Sequence, residues 1–121
     1  MNIAVIGAGF VSEIHLKNWR KIAGTKVMAI CDINLDSANK LATKWSVPCV
    51  YSSLDSLLAD KSGEDIQIID ICTPPFTHVS LVKTALESGH HVLCEKPLCF
   101  TAKEAAQIGE SVKADGPILE V

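Results

Sequence analysis

The stretch that decides the fold is IAVIGAGFVS, residues 3–12. Residues 3–6 form an apolar run typical of a buried strand, and the glycine loop 7–12 leads directly into a helical pattern. In such a unit the first glycine, Gly7, permits a tight turn, and the second, Gly9, lets the backbone approach a pyrophosphate. The free N–H groups that begin the helix point at the negative charge. The stretch therefore predicts a nucleotide-binding βαβ unit.

An acidic residue closes the second apolar run of the chain. Asp32 directly follows the run 27–31. A carboxylate at this position accepts hydrogen bonds from the hydroxyls of an adenosine ribose and repels a 2′-phosphate. Because residues 32–40 contain no arginine and only one basic residue, Lys40, we expect NAD rather than NADP as the cofactor. The alternative is that Asp32 only caps the helix that begins near Leu35.

The bulk composition indicates one compact domain and excludes some classes of partner. The chain has 121 residues, 48% hydrophobic and 21% charged, which is enough for a buried core. Its net charge of −3 argues against nucleic-acid or membrane-surface binding through bulk electrostatics. No apolar run approaches the roughly 18 to 20 residues that span a membrane, and the first residues do not resemble a secretion signal. We therefore expect a cytoplasmic protein, with neither nucleic acid nor membrane as a partner.

The cysteines predict neither disulfides nor a metal centre. There are five, at positions 31, 49, 72, 94 and 99, and none forms a C-x-x-C pair. Most lie in or beside apolar runs, where a free cysteine packs as a small hydrophobic side chain. We expect reduced thiols in or near the core. A metal site formed by Cys72, Cys94 and His78 is disfavoured, because no two of these ligands are closely spaced.

Apolar runs and helical patterns alternate along the whole chain. Strands are predicted at 3–6, 27–31, 49–51, 66–72 and 92–94, with a sixth beginning at 117–121. Helices are predicted at 10–22, at 54–58, and on the apolar stripes Ala38, Leu41, Ala42 and Trp45, then Val79, Val82 and Leu86, then Ala105, Ile108 and Val112. Continuous apolar strands between helices are typical of a parallel sheet buried on both faces. The prediction is an α/β fold: one doubly wound parallel sheet of about six strands, in the order 3-2-1-4-5-6, over residues 1–121.

The loop CTPPFTH, residues 72–78, follows the fourth predicted strand. Ligands of such sheets bind beyond the carboxyl ends of the strands, where the strand order reverses. Thr73 can offer its hydroxyl to this crevice, and Pro75 can form a wall for a flat ring. The prolines stiffen the loop. For His78, packing or hydrogen bonding within the loop is favoured over direct contact with a ligand.

Glu95, Lys96 and Pro97 follow the fifth strand and carry the most specific signal. A lysine at the carboxyl end of a strand, beside a cofactor, can donate to ribose hydroxyls or polarise a substrate oxygen. Its charge also stabilises an anionic transition state, so Lys96 is the predicted catalytic residue. Pro97 fixes the turn and is a candidate for a cis peptide bond. The alternative is a solvent-exposed Glu-Lys turn without a functional role.

Four segments together resemble the N-terminal NAD(P)-binding Rossmann domain of the Gfo/Idh/MocA oxidoreductases. They are MNIAVIGAGF (1–10), CDIN (31–34), CTPPFTH (72–78) and HVLCEKPL (91–98). The resemblance implies that the cofactor-binding residues are Gly7, Gly9, Phe10, Val11, Asp32, Ile33, Thr73, Pro74, Pro75, His78, Glu95, Lys96 and Pro97. It implies the pyrophosphate at the glycine loop, the adenosine ribose at Asp32, and the nicotinamide beside Lys96, which contacts ribose and substrate. Ser12 stands where glycine or alanine is commoner, which affects helix packing rather than binding.

The length of the chain departs from the pattern of that family. Its members carry a second domain that supplies most of the substrate pocket, the residues that move the hydroxyl proton and, usually, the oligomer interface. We therefore expect a truncated domain that binds its cofactor but is inactive alone. Its expected partners are a small-molecule cofactor and the substrate domain of a longer protein, and oligomerisation is possible.

The expected function is part of a hydride transfer between NAD and a sugar, polyol or related hydroxyl compound. A non-catalytic NAD(P)-sensing or interaction module is the alternative, and it shares the glycine loop and Asp32. A methyltransferase that uses S-adenosylmethionine is a third class. The complete phosphate loop and the pair Lys96 and Pro97 argue against that class. Cofactor titration and an activity assay distinguish the three.

Overall fold

One sheet of six parallel strands organises the residues that the computed structural model describes, 1–60 and 65–121. The strands are β1 (Asn2–Ile6), β2 (Lys26–Cys31), β3 (Cys49–Tyr51), β4 (Ile66–Ile71), β5 (His91–Cys94) and β6 (Leu119–Glu120). Every neighbouring pair runs parallel, in the order β3-β2-β1-β4-β5-β6. The predicted doubly wound sheet, with its order 3-2-1-4-5-6, is confirmed.

Helices connect the strands. They are α1 (Phe10–Trp19), α2 (Leu35–Trp45), α3 (Leu54–Ala59), α4 (His78–Glu87) and α5 (Ala102–Gly109), with a short 3₁₀ helix at Pro75–Thr77. Asn34, Ser53 and Thr101 begin α2, α3 and α5, and each accepts a hydrogen bond from the backbone N–H three residues further on. Within the two described ranges, no helix is both long and apolar enough to cross a membrane.

The core lies on both faces of the sheet. Successive side chains of a strand point to opposite faces, so β1 contributes to both halves of the core. Ile3 and Val5 pack with residues of α1 and α2. Ala4 and Ile6 pack with residues of α3, α4 and α5. This two-sided burial explains why β1 is a continuous apolar run rather than an alternating one.

Two predicted helices are shorter in the structure. The first ends at Trp19 rather than at residue 22, because the N–H groups of Lys21 and Ile22 each donate to the carbonyl three residues earlier, in a tight turn. The last ends at Gly109, a residue of low helix propensity. Ile22 and Val112, both predicted on apolar helix faces, are therefore exposed.

Three loops follow β1, β4 and β5 at the carboxyl edge of the sheet. Each begins with a backbone N–H that continues the hydrogen bonding of the neighbouring strands. The bonds are Gly7 N–H to the Cys31 carbonyl (2.7 Å), Cys72 N–H to the Ile6 carbonyl (2.8 Å) and Glu95 N–H to the Ile71 carbonyl (2.9 Å). Since β1 and β4 flank the point where the strand order reverses, these bonds fix the three loops around one crevice.

Candidate functional site

The first glycine of the loop is required by its backbone and by its neighbours. Gly7 has φ of +103°, a left-handed conformation that other residues rarely adopt. A Cβ on Gly7 would lie 3.0 Å from the carbonyl oxygen of Cys72. The turn after β1 is therefore packed directly against the chain that leaves β4.

The second glycine faces open space. Gly9 precedes α1, and no side chain caps the helix there. A Cβ on Gly9 would meet nothing within 4 Å, and Phe10, the next residue, is 81% exposed. Val11 is partly buried. The backbone N–H groups of the first turn, which have no acceptor within the helix, thus face an accessible surface that suits a phosphate.

Ser12 occupies the third position of the glycine loop, where α1 packs against the sheet. It is fully buried, and its hydroxyl has no hydrogen-bond partner within the described residues. The thiol of Cys72 is the polar group beside it. A serine therefore fits this close contact, as expected, but it leaves a hydroxyl without a strong partner.

The Asp32 carboxylate accepts hydrogen bonds from two backbone N–H groups. Oδ2 accepts from the Ala8 N–H at 2.7 Å, and Oδ1 accepts from the Asn34 N–H at 2.7 Å. The helix α2 is capped by Asn34, whose side chain accepts from the Ser37 N–H. The alternative that Asp32 itself caps this helix is therefore wrong. Because a carboxylate offers about four acceptor positions, Asp32 retains capacity for ribose hydroxyls.

A cavity of about 480 Å³ opens beside Asp32 at the ends of β1, β2 and β4. Its volume is that of a small-molecule pocket. Ile33, which is 95% exposed, lies on one side of it, and Thr73 and Pro74 lie on the other. Phe76 also lines this cavity, although sequence reasoning did not select it. The aromatic ring inside the proline loop was the available signal.

Hydroxyl groups order the loop after β4. The Thr77 hydroxyl donates to the Pro74 carbonyl at 2.7 Å. The Thr73 and Thr77 hydroxyl oxygens are 2.6 Å apart. Since Thr77 uses its one proton on Pro74, Thr73 is the donor of this second bond, and its oxygen remains available as an acceptor. Pro75 is partly buried and begins the 3₁₀ helix.

His78 connects two of the loops. It is fully buried, with Nδ1 2.9 Å from the Pro97 carbonyl oxygen and Nε2 2.8 Å from the Thr73 carbonyl oxygen. Both ring nitrogens are therefore occupied by backbone. These two bonds link the loop after β4 to the turn after β5.

The turn after β5 presents a lysine to solvent. Lys96 and Pro97 are exposed, whereas the Glu95 side chain is partly buried. The Lys96–Pro97 peptide bond is cis, as the sequence suggested. No carboxylate of the described residues lies within ion-pair distance of the Lys96 ammonium. The ammonium is thus accessible to solvent and is not engaged by a carboxylate of these residues.

A buried polar cluster beneath the loops was missed by the sequence reasoning. His15 Nδ1 lies 3.0 Å from both carboxylate oxygens of Asp70, and His15 Nε2 lies 3.1 Å from Glu95 Oε1. Trp19 Nε1 donates to Asp70 Oδ2 at 2.6 Å. The available signal was Asp70 itself, a single acid inside the apolar run of β4, because a fully buried charge requires a partner.

The cluster shifts the ionisation of its members. The hydrogen bond to Asp70 raises the pKa of His15, against the opposing effect of burial, and Glu95 adds to the rise. Burial and the Asp70 charge raise the pKa of the Cys72 thiol. The ligand atoms of His15, Asp70 and Cys72 lie within 4.8 Å of one another. In this structure the His15 and Asp70 groups bond each other, and the raised pKa of the Cys72 thiol favours its protonated form, which is not a metal ligand.

Comparison with known proteins assigns the whole chain to one group. Residues 1–121 match the sequence model of Gfo/Idh/MocA, described as an oxidoreductase family with an NAD-binding Rossmann fold. An inositol 2-dehydrogenase/D-chiro-inositol 3-dehydrogenase of Shouchella clausii is 33% identical over 118 residues, covering 96% of this chain and 33% of that protein. The chain spans about a third of the length of the curated relatives it matches.

Two solved structures share the fold of this chain. The myo-inositol 2-dehydrogenase from Lactobacillus plantarum matches with a TM-score of 0.87 and 25% identity, over 99% of this chain and 35% of that one. GenD2 from gentamicin A biosynthesis, in complex with NAD, matches with a TM-score of 0.89 and 26% identity, over 99% of this chain and 33% of that one.

Proposed function

The chain belongs to the Gfo/Idh/MocA family of oxidoreductases, and we propose that residues 1–121 form the NAD-binding domain of a dehydrogenase. The reaction is hydride transfer between nicotinamide and a hydroxyl-bearing carbon of a sugar, polyol or related compound. Inositol dehydrogenases among the relatives support this substrate class. The relatives are about three times as long as this chain, which supports a substrate pocket completed by residues outside 1–121.

One observation carries the proposal: the open backbone at Gly9 and the carboxylate of Asp32 lie at the same edge of the sheet. The Ala8 N–H joins them through its bond to Asp32. A dinucleotide needs both groups at once, the backbone for its pyrophosphate and the acid for its ribose. The left-handed turn at Gly7 holds this spacing.

These positions support the following path for the cofactor. The pyrophosphate lies over Gly9, Phe10 and Val11, whose backbone begins α1. The adenosine lies in the cavity beside Asp32, against Ile33, Pro74 and Phe76. The nicotinamide lies toward the turn Glu95–Pro97, next to the loop that carries Thr73 and Pro75. His78 holds these last two loops together through its bonds to the Pro97 and Thr73 carbonyls.

NAD is proposed over NADP because of the charge at the ribose. Asp32 is the carboxylate at the end of β2 and would repel a 2′-phosphate. Its two backbone bonds fix it in place, so it does not turn away from a ligand. The exposed Ile33 offers no positive charge to a phosphate.

Lys96 is the residue of this chain proposed to act in the reaction. The nicotinamide supplies the carbon that accepts or donates hydride when NAD is bound. The Lys96 ammonium, exposed at the crevice, donates hydrogen bonds to the nicotinamide ribose and to the substrate oxygen. Its positive charge lowers the free energy of an alkoxide-like transition state. We place the group that moves the hydroxyl proton outside residues 1–121.

Cofactor titration of this chain tests the proposal. Calorimetry with NADH, NADPH and S-adenosylmethionine is expected to show binding of NADH and weaker binding of NADPH. Binding of the methyl donor with no response to NADH would overturn it. NADH binding by a longer protein that contains this chain, without dehydrogenase activity on any sugar or polyol, would instead favour an NAD-sensing module.

A further inference from the structure

The His15 ring lies between two carboxylates, one at each nitrogen. Asp70 on β4 faces Nδ1, and Glu95 after β5 faces Nε2. A neutral imidazole carries a single N–H, so it can donate to only one of them and turns a lone pair toward the other. The imidazolium donates to both. The geometry therefore fits a protonated His15, with two charge-assisted hydrogen bonds.

Asp70 is held in place by burial and by several hydrogen bonds. Its side chain is 0% exposed, and it also accepts from Trp19 Nε1 at 2.6 Å. The Cys72 thiol is a further donor to it, at 3.6 Å. A carboxylate buried this fully needs hydrogen-bond or charge partners, and His15 is the basic side chain in contact with it. No other ionisable side chain of the described residues is placed within hydrogen-bond distance of the His15 ring.

Glu95, on the other side of the His15 ring, is less buried than Asp70. Its side chain is 27% exposed, and its second oxygen, Oε2, accepts from the Lys96 backbone N–H at 3.2 Å. One side chain thus connects the buried pair to the backbone of the turn that carries the Lys96 ammonium. Because His15 lies in α1, directly after the glycine loop, it links the phosphate end of the crevice to the lysine end.

We propose that His15 is a positioning residue: anchored on Asp70, it holds the Glu95 carboxylate and so orients the Lys96 turn toward the nicotinamide half of the bound cofactor. This inference rests on the proposed function. His15 does not contact the cofactor or the substrate. Loss of its proton removes one of its two contacts with carboxylates, so the orientation of the turn depends on pH.

The coupling is testable in the unmodified chain, without a cofactor. In a ¹⁵N NMR titration, both ring nitrogens of His15 are expected to stay protonated to a higher pH than in an ordinary imidazole, whose pKa is 6.5. The Lys96 amide resonance is expected to move with the same midpoint as His15, because Glu95 connects them. A His15 that loses its proton at pH 6.5 or below, or a Lys96 amide whose resonance does not follow the titration of His15, would overturn the proposal.

The orienting effect is tested with His15→Gln and two ligands, NADH and ADP-ribose, which lacks the nicotinamide. The variant is expected to bind NADH about tenfold more weakly, equivalent to about 1.4 kcal/mol, and to bind ADP-ribose as the unmodified chain does. Equal losses for both ligands, or no loss for NADH, would contradict the proposal. Glu95→Gln is the second variant if His15→Gln fails to fold, and it is expected to give the same selective loss.

A control and a double variant complete the design. His90→Gln, at the opposite end of β5 and bonded to Ser88, is expected to leave both affinities unchanged. Combining His15→Gln with Glu95→Gln is expected to add no further loss, because both act through one contact. If the unmodified chain binds neither NADH nor ADP-ribose, the proposed function fails, while the NMR titration still decides whether His15 holds the turn.

Discussion

The Asp32 carboxylate accepts a hydrogen bond of 2.7 Å from the backbone N–H of Ala8, inside the glycine loop. This bond joins the end of β2 to the turn after β1. The acid proposed to bind ribose and the backbone proposed to bind pyrophosphate are therefore held together before any ligand arrives. Preorganisation of this kind reduces the ordering that binding would otherwise require.

Asp32→Asn is expected to change the preference between cofactors. The amide cannot repel a 2′-phosphate, and its NH₂ group is a donor rather than an acceptor for the ribose hydroxyls. We expect NADH to bind about tenfold more weakly and the NADH-to-NADPH preference to fall by a similar factor. Calorimetric titration measures both affinities. Asp36→Asn, on the exposed first turn of α2, is the matched control, and an unchanged preference in Asp32→Asn would contradict the role assigned to Asp32.

Gly7→Ala is expected to destabilise the fold. The left-handed φ is strained for alanine, and the added Cβ would press on the Cys72 carbonyl at 3.0 Å. We expect the free energy of unfolding to fall by about 1 to 3 kcal/mol. Urea denaturation followed by circular dichroism measures it. A variant as stable as the original chain would show that the turn can rearrange.

Gly9→Ala is expected to weaken NADH binding without destabilising the fold. Its Cβ meets no protein atom within 4 Å, so we expect the free energy of unfolding to change by less than about 1 kcal/mol. The same methyl group would stand where the backbone approaches the pyrophosphate, so NADH affinity is expected to fall by about tenfold or more. Urea denaturation measures the stability of this variant, and calorimetric titration measures its NADH affinity. An unchanged NADH affinity would argue against a pyrophosphate bound over Gly9.

Lys96→Ala is expected to weaken NADH binding while leaving stability unchanged, because the exposed ammonium has no ion pair among the described residues. The loss is expected to be about threefold to tenfold, the value of one or two hydrogen bonds. Fluorescence titration with NADH measures it. Lys103→Ala in α5 is the control, and equal effects in the two variants would contradict a specific role for Lys96.

Stability is expected to depend on pH through His15. Its pKa is raised above the ordinary value of 6.5 by Asp70, so its contribution is complete below 6.5 and is lost as the pH rises through the folded-state pKa. The difference in unfolding free energy between the original chain and His15→Gln is therefore expected to shrink as the pH rises. Urea denaturation at several pH values checks this trend. A difference that grows with pH would contradict it.

Cys31 and Cys94 are expected to resist alkylation in the folded protein. Burial raises the pKa of both thiols to about 12 from 9.0. Since the thiolate is the nucleophile, a shift of this size lowers its population about a thousandfold. Iodoacetamide labelling followed by mass spectrometry is expected to modify both residues only in urea. Equal labelling rates in folded and unfolded protein would contradict this expectation.

The fold could be read from the sequence because its signals are local. The strand β1 is a continuous apolar run, and it is followed by Gly7 at a tight turn that requires a left-handed φ. Sequence patterns predict helix ends less well, because the residue at which a helix ends depends on competing hydrogen bonds and contacts. Ile22 and Val112 fit helical stripes, but a tight turn after Trp19 and the end of α5 at Gly109 leave both outside helices.

The sequence by itself determined the sheet, its order and the position of the glycine loop, Asp32 and Lys96 at one edge. Residue spacing is sufficient to place these residues together, because parallel strands have all their carboxyl ends at the same edge of the sheet. Only the tertiary structure decided that His15, Asp70 and Glu95 meet. They come from α1, β4 and the turn after β5, and no spacing relates them. Their contact depends on how α1 packs on the sheet and on the need of a buried carboxylate for a cation, which appears only when the chain is folded.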